Sequence, residues 1–394
     1  MLNRRDALRA LAVGTTASPA LVSAATRSTG VGRPDPDTIA RLPELMELSL
    51  TPGIAIGVLR DGRLAWERGF GIADRTSDRP VDARTIWIAA SLSKQAVLYA
   101  VLRLVAAGRM DLDQSLSGYL GDAADLADTA AQITTRHVLT HTSGLPNWRR
   151  DGLVRPEFSP GSRFQYSGEG YYLLGRAIER VTGRGFEASM RELVFEPLGM
   201  SSSTFLWRPE LKGRVVSGHR GGEPFTNIEF AETLDRRVRE SGLPLAAWDH
   251  GRVAALIAKD QGGREPMPAD ILYPNPAFSL LTTASDYARL IERLLQPRGD
   301  ALDVPLVLLD QVFRPHIRVN SRLSWGLGLG LERAGESYGW QWGNNAGAWT
   351  NLLLLHRPTA SGILIFTNGG NGLRVAERLV SACTGVEHPL FLYI

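Results

Sequence analysis

Ser91 and Lys94 stand three residues apart in the run Ser91-Leu92-Ser93-Lys94. At the start of a helix such positions share a face. A hydroxyl and an amine then come within reach of each other, as a nucleophile and its base must. The lysine itself is unusual here. Of 44 basic residues only Lys94, Lys212 and Lys259 are lysine, which leaves forty-one arginines. Arginine keeps its proton at working pH, whereas lysine gives it up when its site is dry. A Ser-x-x-Lys match alone is a weak signal in a chain of 394 residues. Its meaning depends on what else the chain brings to it.

The elements that must position this pair are legible in outline. Apolar spacing predicts a helix from Ser91 to Ala107, closed by Gly108. Gly53 to Leu59 reads as a strand, Asp61-Gly62 as a turn and Leu64 to Gly71 as the returning strand. An amphipathic helix follows Asp37, with Ile39, Leu42, Leu45 and Met46 on one side. Helical patterns cover 134–141, 168–182, 186–195 and 284–296. Periodicity is lost over 206–272, which reads as a long surface excursion, a lid over the site. Strand character returns at Ser324 to Leu331, Gly339 to Trp342, Trp349 to His356 and Gly362 to Thr367, before a last helix, Leu373 to Cys383. Strands at both ends with helices between predict an α/β (α+β) fold: one antiparallel sheet flanked by helices, with a mostly helical region inserted. The expected division is a sheet region over 36–90 and 300–394 and a helical region over 91–299, in one domain spanning 26–394.

Hydrophobic residues make up 44% of the chain and charged residues 22%, which is ordinary for a globular protein. No apolar run reaches the roughly 18 residues that span a bilayer. Net charge is +3 and the basic residues are scattered, so nucleic-acid binding has no footprint. The first 25 residues read as an export signal: Arg4-Arg5, a mildly apolar stretch, then small residues at Ser23-Ala24-Ala25. Paired arginines before a weakly apolar segment fit the twin-arginine type; a disordered basic leader is the plainer alternative. Removing Arg4, Arg5, Arg9 and Asp6 with it takes the net charge from +3 down by two, to +1. Cys383 is the lone cysteine, so no intrachain disulfide forms in any compartment.

Three further segments turn the weak match into a resemblance. Ile88-Ala89-Ala90-Ser91-Leu92-Ser93-Lys94-Gln95 resembles the nucleophile segment of serine β-lactamases and penicillin-binding proteins, class C in particular. Ile133 to Pro146, with its His141-Thr142-Ser143-Gly144-Leu145-Pro146 end, is similar to a structural signature of that family. So are Pro160 to Gly168, with its sequel Tyr172-Leu173-Leu174-Gly175, and Glu196-Pro197-Leu198-Gly199-Met200. The resemblance covers roughly residues 50–205 and 275–380. It implies a β-lactamase/transpeptidase-like fold, no metal and no cofactor, and a small-molecule ester, amide or peptide as partner. Relatives include β-lactamases, D-aminopeptidases, carboxylesterases, amide hydrolases and acyltransferases.

The resemblance also implies roles. Ser91 becomes acylated; Lys94 and Tyr166 are the acid/base groups, and which of them holds the proton at rest is open. The amide of Ser91 is one oxyanion donor. Gln341-Trp342-Gly343 looks like the third element of the family, usually Lys-Thr-Gly or His-x-Gly, and the amide of Asn344 would then complete the hole. A register of Trp342-Gly343-Asn344 also satisfies the pattern. Gly343 suits a strand that a substrate must approach closely. Two departures stand out. Gly168 occupies the place of an Asn that contacts a substrate amide, and Gln341 that of a cation that helps hold a carboxylate. Both weaken the expectation of β-lactamase or D-Ala carboxypeptidase activity. The expected function is an exported serine hydrolase, periplasmic or secreted, that cleaves an ester or amide bond through Ser91. A β-lactamase or D-Ala carboxypeptidase, an acyltransferase, or a penicillin-binding protein that hardly turns over, are the alternatives.

Other patterns have plainer readings. Gly335-Glu336-Ser337-Tyr338-Gly339 matches a nucleophile elbow, but strand-like sequence follows it, so a hairpin turn is expected. His137 and His141 lack the intervening Glu of a zinc helix and read as capping or packing residues. Of Trp340, Trp342 and Trp349, Trp342 is the one expected to face substrate.

Overall fold

A computed structural model describes residues 30–121, 128–149, 153–207, 209–211, 213–225 and 274–394, with short pieces between 236 and 255. The leader expected over 1–25 and much of the 206–272 excursion lie outside the described residues.

The turn at Asp61-Gly62 takes positive φ at both residues, +50° and +68°, the geometry that matches the twist of a hairpin. It folds β1 (Gly53–Arg60) onto β2 (Arg63–Asp74). On the other side of β1 lies β13 (Ser361–Thr367), antiparallel, with Ile54 opposite Thr367. The two ends of the chain therefore close one sheet. Its nine strands run β3-β2-β1-β13-β12-β11-β10-β9-β8, where β3 is Arg79–Pro80, β8 Ile317–Arg318, β9 Leu323–Trp325, β10 Gly330–Ala334, β11 Glu336–Asn345 and β12 Trp349–His356. Every pairing in it is antiparallel. The short strands β4 (Trp87–Ile88) and β7 (Leu281–Thr282) pair outside it, as do β5 (Gly218–Arg220) and β6 (Glu223–Phe225).

Helices cover both faces of the sheet, so its central strands are apolar throughout. Leu353, Leu355, Leu364 and Phe366 join the core built on α2 (Ser93–Ala106), α5 (Gly168–Thr182) and α8 (Ala284–Leu295). Their neighbours Leu352, Leu354, Ile363 and Ile365 face the core under α1 (Pro36–Leu48) and α10 (Gly372–Thr384). The remaining helices are short: α3 (Leu116–Leu120), α4 (Thr135–Leu139), α6 (Phe186–Met190), α7 (Glu196–Leu198) and α9 (Leu306–Val312). None of the described helices is long and apolar enough to cross a membrane.

Three elements differ from the sequence reading. The strand expected over Ser324 to Leu331 is two strands, because Gly326 N–H turns back to Leu329 O at 2.7 Å and Gly328 takes φ +88°. The helix expected over 186–195 gives way to a π turn at Arg191–Phe195. The helix expected from Ser91 begins as a 3₁₀ turn, Ala90–Leu92, before α2 takes over at Ser93.

Asn351 on β12 fastens β4, just ahead of that 3₁₀ turn, to the sheet. Its Nδ2 donates to Ile88 O at 2.9 Å, and its Oδ1 accepts from Thr367 N at 3.1 Å. It lies directly opposite Gly343. Asn351→Ala is expected to leave Ile88 O unpaired in a buried place, at about 1–3 kcal/mol. A urea midpoint that does not fall would contradict this account.

Candidate active site

Lys94 lies one helical turn beyond Ser91, on a helix buried on nearly every side. Its side chain is 2% exposed. Nζ stands 3.1 Å from Ser91 Oγ and donates to Ala277 O at 2.9 Å. That carbonyl is held by its own loop: Asn275 Oδ1 accepts from Ala277 N, and Asn275 N donates to Ser279 Oγ at 2.7 Å. The Tyr166 and Tyr171 rings lie 4.9 and 5.3 Å from the amine. No carboxylate is among these neighbours, and burial lowers the Lys94 pKa to about 7. The amine can thus be uncharged near neutral pH, with a lone pair for the Ser91 proton.

Tyr166 reaches the same hydroxyl from the residue before the N-cap of α5. Ser167, the cap, accepts from Gly170 N and donates to Pro146 O, which fixes the chain where Tyr166 leaves it. The phenol shares a hydrogen bond with the Ser91 side chain and receives one from Gln341 Nε2 at 3.4 Å. Burial pushes its pKa up to about 12; both hydrogen bonds act against that, but do not overcome it. Gln341 also donates to Trp342 O at 2.7 Å. It brings no charge to the phenol.

β11 supplies the opposite wall. Its pairing with β10 ends at Trp340, so 341–345 pair with β12 and leave their other edge to the site. Side chains alternate along a strand: Gln341 and Gly343 face the nucleophile. A Cβ on Gly343 would lie 2.9 Å from both Ala89 O and Ser91 N. Trp342 alternates to the other face and, partly buried, packs against the core under α1 and α10. Ala90, just before Ser91, takes φ +50°, a left-handed conformation that costs a residue with a Cβ about 1–2 kcal/mol.

Beside these groups is a cavity of about 400 Å³. Its walls are aromatic: Trp148, Phe205, Trp207, Phe225, Phe278 and Trp349, with Asn344 and Asn345 at the β11 end. Apart from Lys94, no charged side chain is among the described residues that line it. A larger hollow of about 820 Å³ along the β8–β9 edge contains none of the groups just described.

The structure therefore brings Ser91, Lys94, Tyr166, Gln341 and Gly343 together, and leaves Trp342 outside the cavity. Several lining residues had no sequence signal. Trp349, not Trp342, is the strand tryptophan at the cavity. Trp148 lies over Gly168, where a Cβ would come 2.6 Å from the indole. Asn147 Oδ1 accepts from Gly168 N at 2.9 Å. His137 caps α4 through a reciprocal bond with Thr134, in keeping with its expected role. Gly335 takes φ +74° in the β10–β11 hairpin, so Ser337 stands in a strand and not on an elbow.

Similarity to known proteins follows this geometry. The Beta-lactamase family model matches residues 40–381, so the chain belongs to that family of serine hydrolases. It is 35% identical over 319 residues to Esterase EstB of Burkholderia gladioli, covering 72% of this chain and 76% of that protein. It is 31% identical over 224 residues to Penicillin-binding protein 4 of Amycolatopsis lactamdurans, covering 52% and 57%. The structure of D-alanine carboxypeptidase AmpC from Burkholderia cenocepacia shares the fold, with a TM-score of 0.67 at 17% identity, over 89% of this chain and 98% of that one.

Gly343→Ala should push β11 away from the Ser91 amide. Misplacement by about 1 Å costs a reaction about a hundredfold. The expected result is a loss of that order in the rate of Ser91 labelling by a fluorophosphonate, with the melting temperature little changed.

Proposed function

We propose that the chain is an exported esterase that cleaves neutral esters with a bulky apolar group through a Ser91 acyl-enzyme. The observation that carries this reading is the Lys94 amine, desolvated and 3.1 Å from Ser91 Oγ. In the proposed reaction Lys94 takes the Ser91 proton as Oγ bonds to the ester carbonyl carbon. The amides of Ser91 and Asn344 hold the oxyanion. As the carbon–alkoxide bond breaks, Tyr166 passes its proton to the leaving alcohol and regains one from the Lys94 ammonium. Water then reverses the sequence: its proton goes to the same pair, the acyl–Oγ bond breaks and Ser91 is restored.

The cavity supports the substrate class. Aromatic walls favour an apolar acyl or alcohol group. With Gln341 in the place of a cation, and no charged side chain but Lys94 among the described residues that line the cavity, a carboxylate-bearing β-lactam or D-alanyl peptide finds no ion pair once Lys94 is uncharged. The 35% identity to an esterase points the same way. Export through the Arg4-Arg5 leader and a single domain over 26–394 complete the proposal.

Intact-mass and peptide analysis after fluorophosphonate treatment should locate the adduct on Ser91; an adduct elsewhere rejects the site. Lys94→Met is expected to slow p-nitrophenyl ester hydrolysis by about 10²–10⁴-fold. The base must be uncharged, so kcat/KM should rise with pH through about 7 and stay level above it, well short of the phenol near 12. A rise that begins only near pH 10 would remove Lys94 as the resting base. Nitrocefin turnover should be slow beside that of the esters.

A further inference from the structure

We propose that His141 is a positioning residue that holds the Tyr166 phenol against Ser91. This rests on the acyl-enzyme reading above, and it concerns a residue that sequence analysis assigns only to capping or packing. His141 grips Tyr166 at three points. Its carbonyl accepts from Gln165 N at 2.8 Å, and its Nδ1 accepts from Ser167 N at 3.1 Å. The backbone N–H groups of the residues before and after Tyr166 are thus both bonded to one residue. Its ring lies on the Tyr166 ring, 4.2 Å between centroids and tilted by 31°. Trp325 packs edge-on against the imidazole at 5.0 Å and holds it in place.

No other side chain does all of this. Phe, Tyr and Trp offer a ring without an acceptor at that position; Asn offers the acceptor without the ring. The backbone adds a second restriction, because His141 takes φ +52°. His is one of the few residues with a Cβ that is enriched there. The arrangement also has a cost. Nε2 is buried with no protein hydrogen-bond partner among the described residues.

The imidazole is neutral. Nδ1 uses its lone pair on Ser167 N–H, so a second proton would break that bond. Burial and the charge of Lys94 hold the pKa well below its ordinary range. The groups that face it are Lys94, Tyr166 and Tyr171. His141 therefore takes no proton from the reaction, and its effect is on geometry alone.

His141→Asn tests this, since Asn tolerates the same φ and keeps an acceptor while it removes the ring. Rates are to be expressed per Ser91 titrated by the fluorophosphonate, which removes any unfolded fraction. The expected result is a kcat on p-nitrophenyl esters lower by about 10–100-fold, with KM within about twofold and the acid limb of the pH profile unmoved. An unchanged kcat per titrated site would overturn the proposal, and a displaced acid limb would make His141 a proton carrier instead. A measurement on the unaltered protein stands apart from any folding defect. In ¹⁵N-imidazole spectra between pH 5 and 9, His141 should carry its single proton on Nε2; a proton on Nδ1 would overturn the clamp. If the unaltered protein takes no label at Ser91, the acyl-enzyme reading falls, whereas normal labelling with an indifferent His141→Asn removes only the clamp.

Discussion

An amine kept out of water is the constraint on which this site is built. The fall of the Lys94 pKa from 10.5 to about 7 corresponds to roughly 5 kcal/mol of lost preference for the charged form. Desolvation is its cause, and desolvation has to be supplied by structure on every side. Helix α2 therefore runs through the middle of the core, with Ser93 to Leu102 buried without a break. The Ala277 carbonyl and two tyrosine rings take the places that water would fill. Arginine could not serve, because its proton stays on whatever the surroundings. In a chain of forty-one arginines and three lysines, one lysine lies where burial makes the charge removable.

Such a site is unfavourable in itself, and the double-faced sheet offsets the cost. Ala90 and His141 both hold left-handed backbone conformations beside the reacting groups. Strain of this kind persists where the surroundings over-determine it. Here the surroundings are the bond from Asn351 to Ile88 O, the close approach of Gly343 to Ser91 N, and the two peptides fastened to His141. The unpaired edge of β11 lies at the same place. A free strand edge is a liability in most proteins; in this one it faces inward, towards Ser91.

Local chemistry was legible in the sequence and tertiary chemistry was not. Asp61-Gly62 announced its hairpin, and the helix over 168–182 was readable because Ser167 and Gly183 cap it. The sheet and its inserted helices followed from the order of such elements. Ser91, Lys94 and Tyr166 could be singled out because spacing and a family pattern both mark them. Trp342 and Trp349 could not be told apart, since a sheet covered on both faces is apolar on both, and alternation does not say which face meets the cavity. The break after Trp325 was hidden because a turn through Gly326 and Gly328 interrupts a run whose apolar character continues. His141 was legible only as part of a structural segment, not as a support for Tyr166. Its meaning depends on Tyr166, twenty-five residues later in the chain.

The neutral side chain at 341 gives the site its division of labour. A cation beside the phenol would stabilise the phenolate and invite Tyr166 to act as the resting base. Gln341 offers one long hydrogen bond instead, and burial keeps the phenol protonated to about pH 12. Lys94, uncharged from about pH 7, is then the group able to receive the first proton, while Tyr166 is the group able to give one. Two groups whose surroundings drive their pKa values apart are suited to opposite halves of one transfer. Among the described residues that line the cavity, Lys94 is the one cation. One glutamine thus bears on which group starts the proposed reaction.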